Sequence, residues 1–458
     1  MGLLSDVGFR NAPFQIYLNT GTLYDLHTGV YVPGTHGGMV LNGGFTNTNA
    51  FVGRPKMFKS TELFSLMTRS MAIYPRSEAA VNDTEFAQKA SRIARFAPNY
   101  AEYGLEDRIV VTTPAEMSPE EFFDLIKKAV EHRLARKSEY MVDSPILDPR
   151  TGSPIQMFIP MYVVFDSWSS MMSSFMINTL DTKQVGSSDT NMIYMKDGNV
   201  KKMLMNQLPM LAARAGIYFL LSAHVGNKHE MNQYAPSPKD LPNMKSTDKL
   251  KDVGAGFNFV ISNASQMAKV SVLQDDSKTD ALYPCTGSSN TELNEVVSVL
   301  TSCKNNAGGT TLPLVVSQAD GILSDLSSYH YIRSNNYFGL VGNKVQHKPA
   351  MTDVSLGRTK IREKLQDPEV ARAIEILAEL CYIQNNWITV GSEIDFSVKP
   401  EHMAEQLLGR DSAMIKDILQ SRGHWTYDKN NKQPYLSTYD VVAISQNKYT
   451  PKHIAVKA

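Results

Sequence analysis

Cysteine is nearly missing from this chain. Cys285, Cys303 and Cys381 are the three thiols in 458 residues. Three scattered cysteines exclude a disulfide framework and a cysteine-based zinc site, and they suit a reducing cytoplasm. Long apolar runs are missing too. None approaches the ~18–20 residues that cross a bilayer, so no membrane partner is expected. The opening MGLLSDVGFRNAPF has no basic stretch followed by an apolar core, so no signal peptide is expected, and Asp6 breaks the myristoylation pattern. Net charge is absent as well: 46 Lys and Arg against 46 Asp and Glu leave +0. Any contact with nucleic acid must then come from local basic loops and not from a basic surface overall. No internal repeat is visible.

What is present is a globular composition, 42% hydrophobic and 20% charged, which matches a soluble, core-forming chain. Its length allows one large domain with elaborations, or two to three domains. The most informative stretch is GRPKMFKST, Gly53 to Thr61. A glycine, a short turn and Lys-Ser-Thr opening an apolar-periodic helix resemble a phosphate-binding loop, in which helix N-terminal N–H groups and one lysine hold a polyphosphate. The usual spacing is GxxxxGK[ST]. Gly53, Lys59 and Ser60 keep it, but Phe58 stands at the second glycine. Taken alone, the stretch is either a nucleotide site or a Gly/Lys turn.

Along the chain, residues 37–41 read as a strand entering this loop, 60–70 as a helix and 71–74 as a short strand leading to Glu78. Residues 83–97 and 118–137 read as helices, the second opened by a Ser-Pro-Glu-Glu capping box, with a strand at 108–111 between them. Residues 138–157 read as a surface loop. The run 159–167 is a buried strand delivering Asp166 at its C-terminal end. A helix at 201–216 precedes the strand 217–224, which ends in His224. Residues 225–256 form a long, locally basic loop. Strands are expected at 257–262, 268–273, 296–302 and 312–317, helices at 351–384 and 401–420, and an irregular tail at 421–458. Strand–helix alternation predicts a mostly parallel α/β sheet with helices on both faces, and antiparallel strands at one edge. Phe9, Phe14, Ile16, Tyr17 and Leu18 form an early apolar group that either docks on a neighbouring subunit or packs on its own domain.

The order of these motifs resembles the RecA superfamily, and most closely the UvsX-type strand-exchange recombinases of tailed phages, whose phosphate loop GPSKxFKS also has Phe before Lys. Val163-Val164-Phe165-Asp166-Ser167 resembles the Walker B strand. Leu220 to His224 resembles the strand ending in Asn-His, Gly254-Ala255-Gly256 the glycines closing the second DNA-binding loop, and Cys303-Lys304-Asn305-Asn306 a Lys-rich hairpin with one basic residue replaced by Asn306. The likeness covers about residues 37–330. It implies a RecA-like P-loop ATPase core at 37–345, preceded by an N-terminal segment at 1–36 that contacts another subunit and followed by a helical region and polar tail at 346–458.

The resemblance implies ATP and Mg²⁺ as cofactors. Gly53, Lys56, Phe58, Lys59, Ser60 and Thr61 would hold the nucleotide, Ser60 and Asp166 the metal. Glu78 would orient the attacking water, His224 would sense the γ-phosphate, and Lys304 would reach a neighbouring subunit's nucleotide. Trp168, Lys228, Lys239, Lys245, Lys249 and Lys251 would contact single-stranded DNA by stacking and phosphate neutralisation. The implied activity is that of a DNA-dependent ATPase forming recombination filaments in a cytoplasm, a host cell's if phage-encoded, alongside mediator and single-strand-binding proteins. A ring-forming replicative helicase of the same fold, and a nucleotide-binding subunit with little hydrolysis, are the alternatives.

Overall fold

Apolar strands rich in Val, Ile, Leu and Phe build the centre of the protein. The structure, a computed structural model, describes residues 14–182, 193–228, 239–254, 256–278, 280–285, 296–304, 310–387, 393–409 and 412–452, with the backbone alone at 296–298, 303–304 and 412. Six strands run parallel: β1 (Thr48–Gly53), β2 (Glu78–Asp83), β3 (Ile109–Thr112), β4 (Met161–Asp166), β5 (Ile217–Asn227) and, after the short β6 (Asp248–Leu250), β7 (Asn263–Val272). β6 folds back antiparallel onto the end of β5. Three further strands, β8 (Val296–Lys304), β9 (Thr311–Ser317) and β10 (Gly321–Ile322), add antiparallel at the β7 edge. Across the sheet the order is β10-β9-β8-β7-β1-β5-β4-β2-β3. The expected mostly parallel sheet with antiparallel strands at one edge is present.

Successive side chains of a strand face opposite ways, and here both faces are covered. Tyr162 and Val164 of β4 point into one core, Val163 and Phe165 into the other. The first core is filled by α1 (Lys59–Ile73) through Leu63, Phe64, Leu66, Met67 and Met71. The second is filled by α2 (Pro119–Ala135) through Phe122, Phe123, Ile126 and Val130, and by α5 (Leu208–Ala215), which follows α3 (Ser174–Thr182) and α4 (Ile193–Met205) in the chain. The Ser118–Glu121 capping box opens α2 as its sequence predicts.

Several expected elements differ. Residues 71–73 are the last turn of α1, and the strand starts only at Glu78. The strand near 37–41 exists as Met39–Asn42, but it pairs with Val30–Pro33 outside the main sheet. The strand entering the loop is β1, within the Gly/Asn/Thr-rich run. Of 83–97, Ala90–Ala94 is helical, and 138–157 holds a hairpin of Met141–Leu147 with Pro154–Phe158. The 201–216 helix breaks into the end of α4 and α5, and Phe257–Val260 is a helical turn where a strand is expected. In each case a short apolar or polar run fits two element types, and length alone cannot separate them.

The largest difference is the tail. After α6 (Ser324–Ser334), α7 (Pro368–Asn386), α8 (Pro400–Leu408) and α9 (Ser412–Leu419), residues 421–452 pack into the first core and end in the buried α10 (Thr438–Ser445). Trp425 is fully buried with its ring centroid 4.9 Å from that of Tyr74. Thr426 Oγ1 donates to Ile73 O at 2.6 Å, and Tyr427 OH donates to Pro75 O at 2.6 Å. Met39 N–H donates to Asp440 Oδ1 at 2.8 Å. The tail is thus no appendage: it closes over α1 and the N-terminal hairpin. Ile16 and Leu18 are buried in the same core, Leu18 bridging Phe45, so this part of the early apolar group packs on its own chain. Phe9 lies outside the described residues.

Candidate functional site

β1 delivers Gly53 to the C-terminal edge of the sheet, where the chain must turn under close neighbours. A Cβ at Gly53 would stand 3.1 Å from Met267 Cβ and 3.3 Å from Lys59 Cγ. Lys56 and Phe58 then take left-handed backbone angles, φ 63° and 62°. Phe58 is the N-cap of α1, and no side chain caps that helix. Its first N–H groups therefore lack an internal partner and carry the positive end of the helix dipole. Lys56 is exposed, Thr61 is half-buried in the first turn of α1, and the Phe58 ring packs on the first core.

Lys59 is buried across the loop. Its Nζ donates to Arg54 O and lies 3.5 Å from His224 Nδ1. Burial pulls its pKa below the ordinary lysine range, against the neighbouring Glu85 and Asp166 charges. Asp166, at the end of β4, is also buried. Its Oδ1 accepts from Ser60 Oγ at 3.0 Å and from Ser222 Oγ at 2.6 Å, while Oδ2 is buried without a hydrogen-bond partner. Burial raises its pKa to about 6, and the two serine hydroxyls oppose the rise. A carboxylate held in this way is a poor structural anchor and a good waiting ligand.

The register explains why these groups meet. β5 lies between β1 and β4, with Gly53 opposite His224 and Phe165 opposite Leu221. Four strand ends, those of β1, β5, β4 and β2, therefore open on one edge. The carboxylate facing this edge from β2 is Glu85, two residues past the strand. Glu85 Oε1 lies 2.9 Å from His224 Nε2. Since Lys59 donates to Nδ1, the Nε2–H of the ring donates to Glu85. That bond is the main cause of the low pKa of Glu85; Ser167 and the Lys59 charge add to it against burial.

Glu78 is not at this edge. It opens β2 opposite Met161, while Asp83 at the other end faces Asp166. Five residue steps separate the ends, about 17 Å. The assignment of Glu78 as the water-orienting base is therefore corrected, since it followed from reading 71–74 as the strand. Asp83 is occupied as a turn cap, accepting from Glu85 N and Gln88 N. Sequence reading overlooked Glu85, though an acidic residue just past Ala79-Ala80-Val81 was the available signal.

Trp168 is corrected as well. It is fully buried in the second core and donates from Nε1 to Val253 O at 3.1 Å, so its ring is no stacking platform. Lys239, Lys245, Lys249 and Lys251 are exposed; Lys228 is half-buried at the end of β5. Residues 229–238, Ala255 and Asn306 lie outside the described residues, as does the side chain of Lys304, whose backbone pairs with Ala264 at the end of β8. Exposed apolar side chains are also present: Phe259 at 87% exposure, Tyr194 at 72%, and Phe175, whose ring lies 4.9 Å from Lys196 Nζ.

Ser60 Oγ and the Asp166 carboxylate, with its unpartnered Oδ2, fit a hard divalent cation. Among the described residues no group of three or more His, Cys, Asp or Glu side chains forms a metal cage. Mg²⁺ shared with phosphates and water needs none. No helix among the described residues is long and apolar enough to cross a membrane. No protein-family model matches the chain, and no curated protein matches it.

Proposed function

We propose that this chain is a Mg²⁺- and ATP-dependent DNA-binding ATPase with a RecA-like core, acting as a homo-oligomeric strand-exchange recombinase on single-stranded DNA. The observation that carries the reading is the convergence of Lys59, Ser60, Asp166, His224 and Glu85 on one sheet edge from four neighbouring strands. Phosphoryl transfer asks for these parts: a helix N-terminus and lysine for the phosphates, oxygen ligands for the metal, and a carboxylate for the attacking water. Bound Mg²⁺ would supply charge neutralisation on the phosphate oxygens, held by Ser60 and Asp166. Lys59 would turn from Arg54 O and His224 to the β- and γ-phosphates. Glu85, kept ionised by His224 and Lys59, would accept a hydrogen bond from water and orient it.

The presence of an ionised, positioned Glu85 favours hydrolysis over a silent nucleotide-binding subunit. For DNA, exposed Lys245, Lys249 and Lys251 offer charge for the strand's phosphates and exposed Phe259 and Tyr194 offer ring faces, the two kinds of contact that single strands require. The loop residues Arg54, Pro55 and Lys56 are exposed at the sheet edge, which suits completion by a second copy. The test is ATP turnover with and without single-stranded DNA, paired with electron microscopy of the complex. Lys59→Ala is expected to abolish turnover, and helical filaments are expected with an ATP analogue. Closed rings would move the reading to a helicase; DNA-stimulated turnover unchanged in Lys59→Ala would overturn the site.

A further inference from the structure

Arg54, the second residue of the phosphate loop, has no role in the motif. Its side chain leaves the loop. Nη2 donates to Asp248 Oδ1 at 2.9 Å and to Asn227 Oδ1 at 2.7 Å. The Asp248 side chain is buried at 5% exposure, against 47% for Arg54, so solvent screens one end of the pair and not the other. The second oxygen of Asp248 accepts from Gln266 Nε2 of β7 at 2.9 Å. Four elements thus meet at one carboxylate: the phosphate loop, the end of β5, β6 and β7.

Asp248 also opens β6, at the middle of the basic segment. It pairs with Asn227, Lys249 with Gly226 and Leu250 with Val225. Asp248 N–H donates to Lys245 O at 3.0 Å, and Lys251 N–H donates to His224 O at 2.9 Å. Ser169 Oγ donates to Lys251 O at 2.8 Å. The Lys251 side chain crosses Gly226 so closely that a Cβ there would sit 2.0 Å from its Cε. The segment from Lys245 to Lys251 is therefore a turn leading into the short framed strand β6, and Asp248 anchors the point where that strand begins. At the other end of the connection, the carbonyl of Arg54 is where Lys59 Nζ rests. One residue touches the phosphate-binding lysine through its backbone and the basic segment through its guanidinium.

We propose that the Arg54–Asp248 pair sets the position of the 245–251 segment according to what the phosphate loop holds. Arg54 acts as a positioning residue. A polyphosphate draws the Lys59 ammonium off the Arg54 carbonyl; the loop backbone resettles, and the guanidinium carries the change to Asp248 and β6. Coupling of this kind is reciprocal, so an anionic strand on the lysines must alter nucleotide affinity by the same factor. The inference rests on the nucleotide reading of the loop, and the experiment separates the two.

Hydrogen–deuterium exchange of 245–253 is followed with and without Mg²⁺ and the β,γ-imido analogue of ATP, while analogue binding is measured separately by calorimetry. In the unaltered chain, saturating analogue is expected to change exchange in this segment by about fivefold or more. Asp248→Asn keeps the side-chain shape and the Gln266 contact but removes the charge. It is expected to bind the analogue within about threefold while losing most of the exchange response, and Asp248→Glu is expected to restore part of it. Arg54→Gln is expected to lose the same response, and the double variant Arg54→Gln/Asp248→Asn to lose no more than either alone. If Asp248→Asn does not fold, Arg54→Gln carries the test, since its side chain is half exposed. A chain that binds the analogue with no response in 245–253, or an Asp248→Asn variant that responds fully, overturns the coupling and leaves the site reading standing. Absence of analogue binding by the unaltered chain overturns both.

Discussion

Asp166 shows what a buried carboxylate costs a fold. Burial raises its pKa to about 6, so the folded protein holds a proton there that the unfolded chain releases near the usual aspartate value. The sign follows by linkage. Below about pH 4 both states are protonated and there is no penalty; stability then falls as pH rises towards 6, and above that the penalty is full, on the order of 2–3 kcal/mol. Asp166→Asn is therefore expected to stabilise the metal-free protein at pH 7.5 by about 1–2 kcal/mol, a little less than the full penalty because one amide hydrogen stays buried. The gap should shrink by about 1–1.5 kcal/mol at pH 5, where the ionisation penalty is roughly halved. Urea unfolding in EDTA at the two pH values checks this. A merely structural strand-end cap would behave oppositely, its removal destabilising the protein. Phe58 carries the same lesson in the backbone: its φ of 62° lies where glycine sits without strain, and a side chain there costs about 1–2 kcal/mol. Packing of its ring on the first core offsets that cost. This is why a Phe at the motif's glycine position does not break the loop.

At the scale of elements, the parallel strands that end in Asp166 and His224 were legible, because a strand buried on both faces is an unbroken apolar run. β1 was not. Its first residues, Thr48 and Asn49, are polar yet buried: Asn49 is satisfied locally, Nδ2 donating to Thr46 O, and Thr48 Oγ1 donates to the distant Val260 O. Such self-satisfied polar residues look like a loop until their partners are known. The opposite error occurred at 71–74, where Met-Ala-Ile-Tyr is apolar in either state and belongs to the end of α1. That one displaced strand placed the expected base at Glu78, away from the edge where Glu85 stands, while Lys59, Ser60 and Asp166 needed only their local pattern. A kinetic comparison follows. Glu85→Gln is expected to lower DNA-stimulated ATP turnover by about 100-fold or more with analogue binding retained, whereas Glu78→Gln should stay within about twofold. Equal losses in both variants would return the base to an open question of the edge; a loss confined to Glu78→Gln would reverse the assignment.

At the scale of the whole molecule, the first core runs from Ile16 through α1 to Ile444, so the two ends of the chain complete one hydrophobic face of the sheet. Polarity hid this in the tail: residues 428–433 are mostly charged or amide side chains, and Trp425, Leu436, Val441, Val442 and Ile444 stand too far apart to show a period. Their burial depends on partners four hundred residues away. Trp425 sits against Tyr74, its backbone N–H donates to Asn19 Oδ1 at 3.2 Å, and its neighbours seal the last turn of α1. Since α1 begins at the Gly53–Phe58 loop, the tail holds the far end of the helix whose near end carries Lys59. Trp425→Ala is expected to cost about 3–5 kcal/mol, the range for a large ring removed from a packed interior. Each molecule that remains folded should keep its ATP turnover, because Lys59 lies fourteen residues from Ile73, about 21 Å along the helix. Urea unfolding followed by near-ultraviolet circular dichroism, with turnover normalised to folded protein, separates these outcomes. Removal of everything after Gln420 should go further and leave the face of α1 and the N-terminal hairpin exposed, a chain that collapses without a cooperative transition. A soluble 1–420 fragment with a sharp unfolding transition would show instead that the sheet and α1 fold without the tail, and that the shared core is two cores in contact.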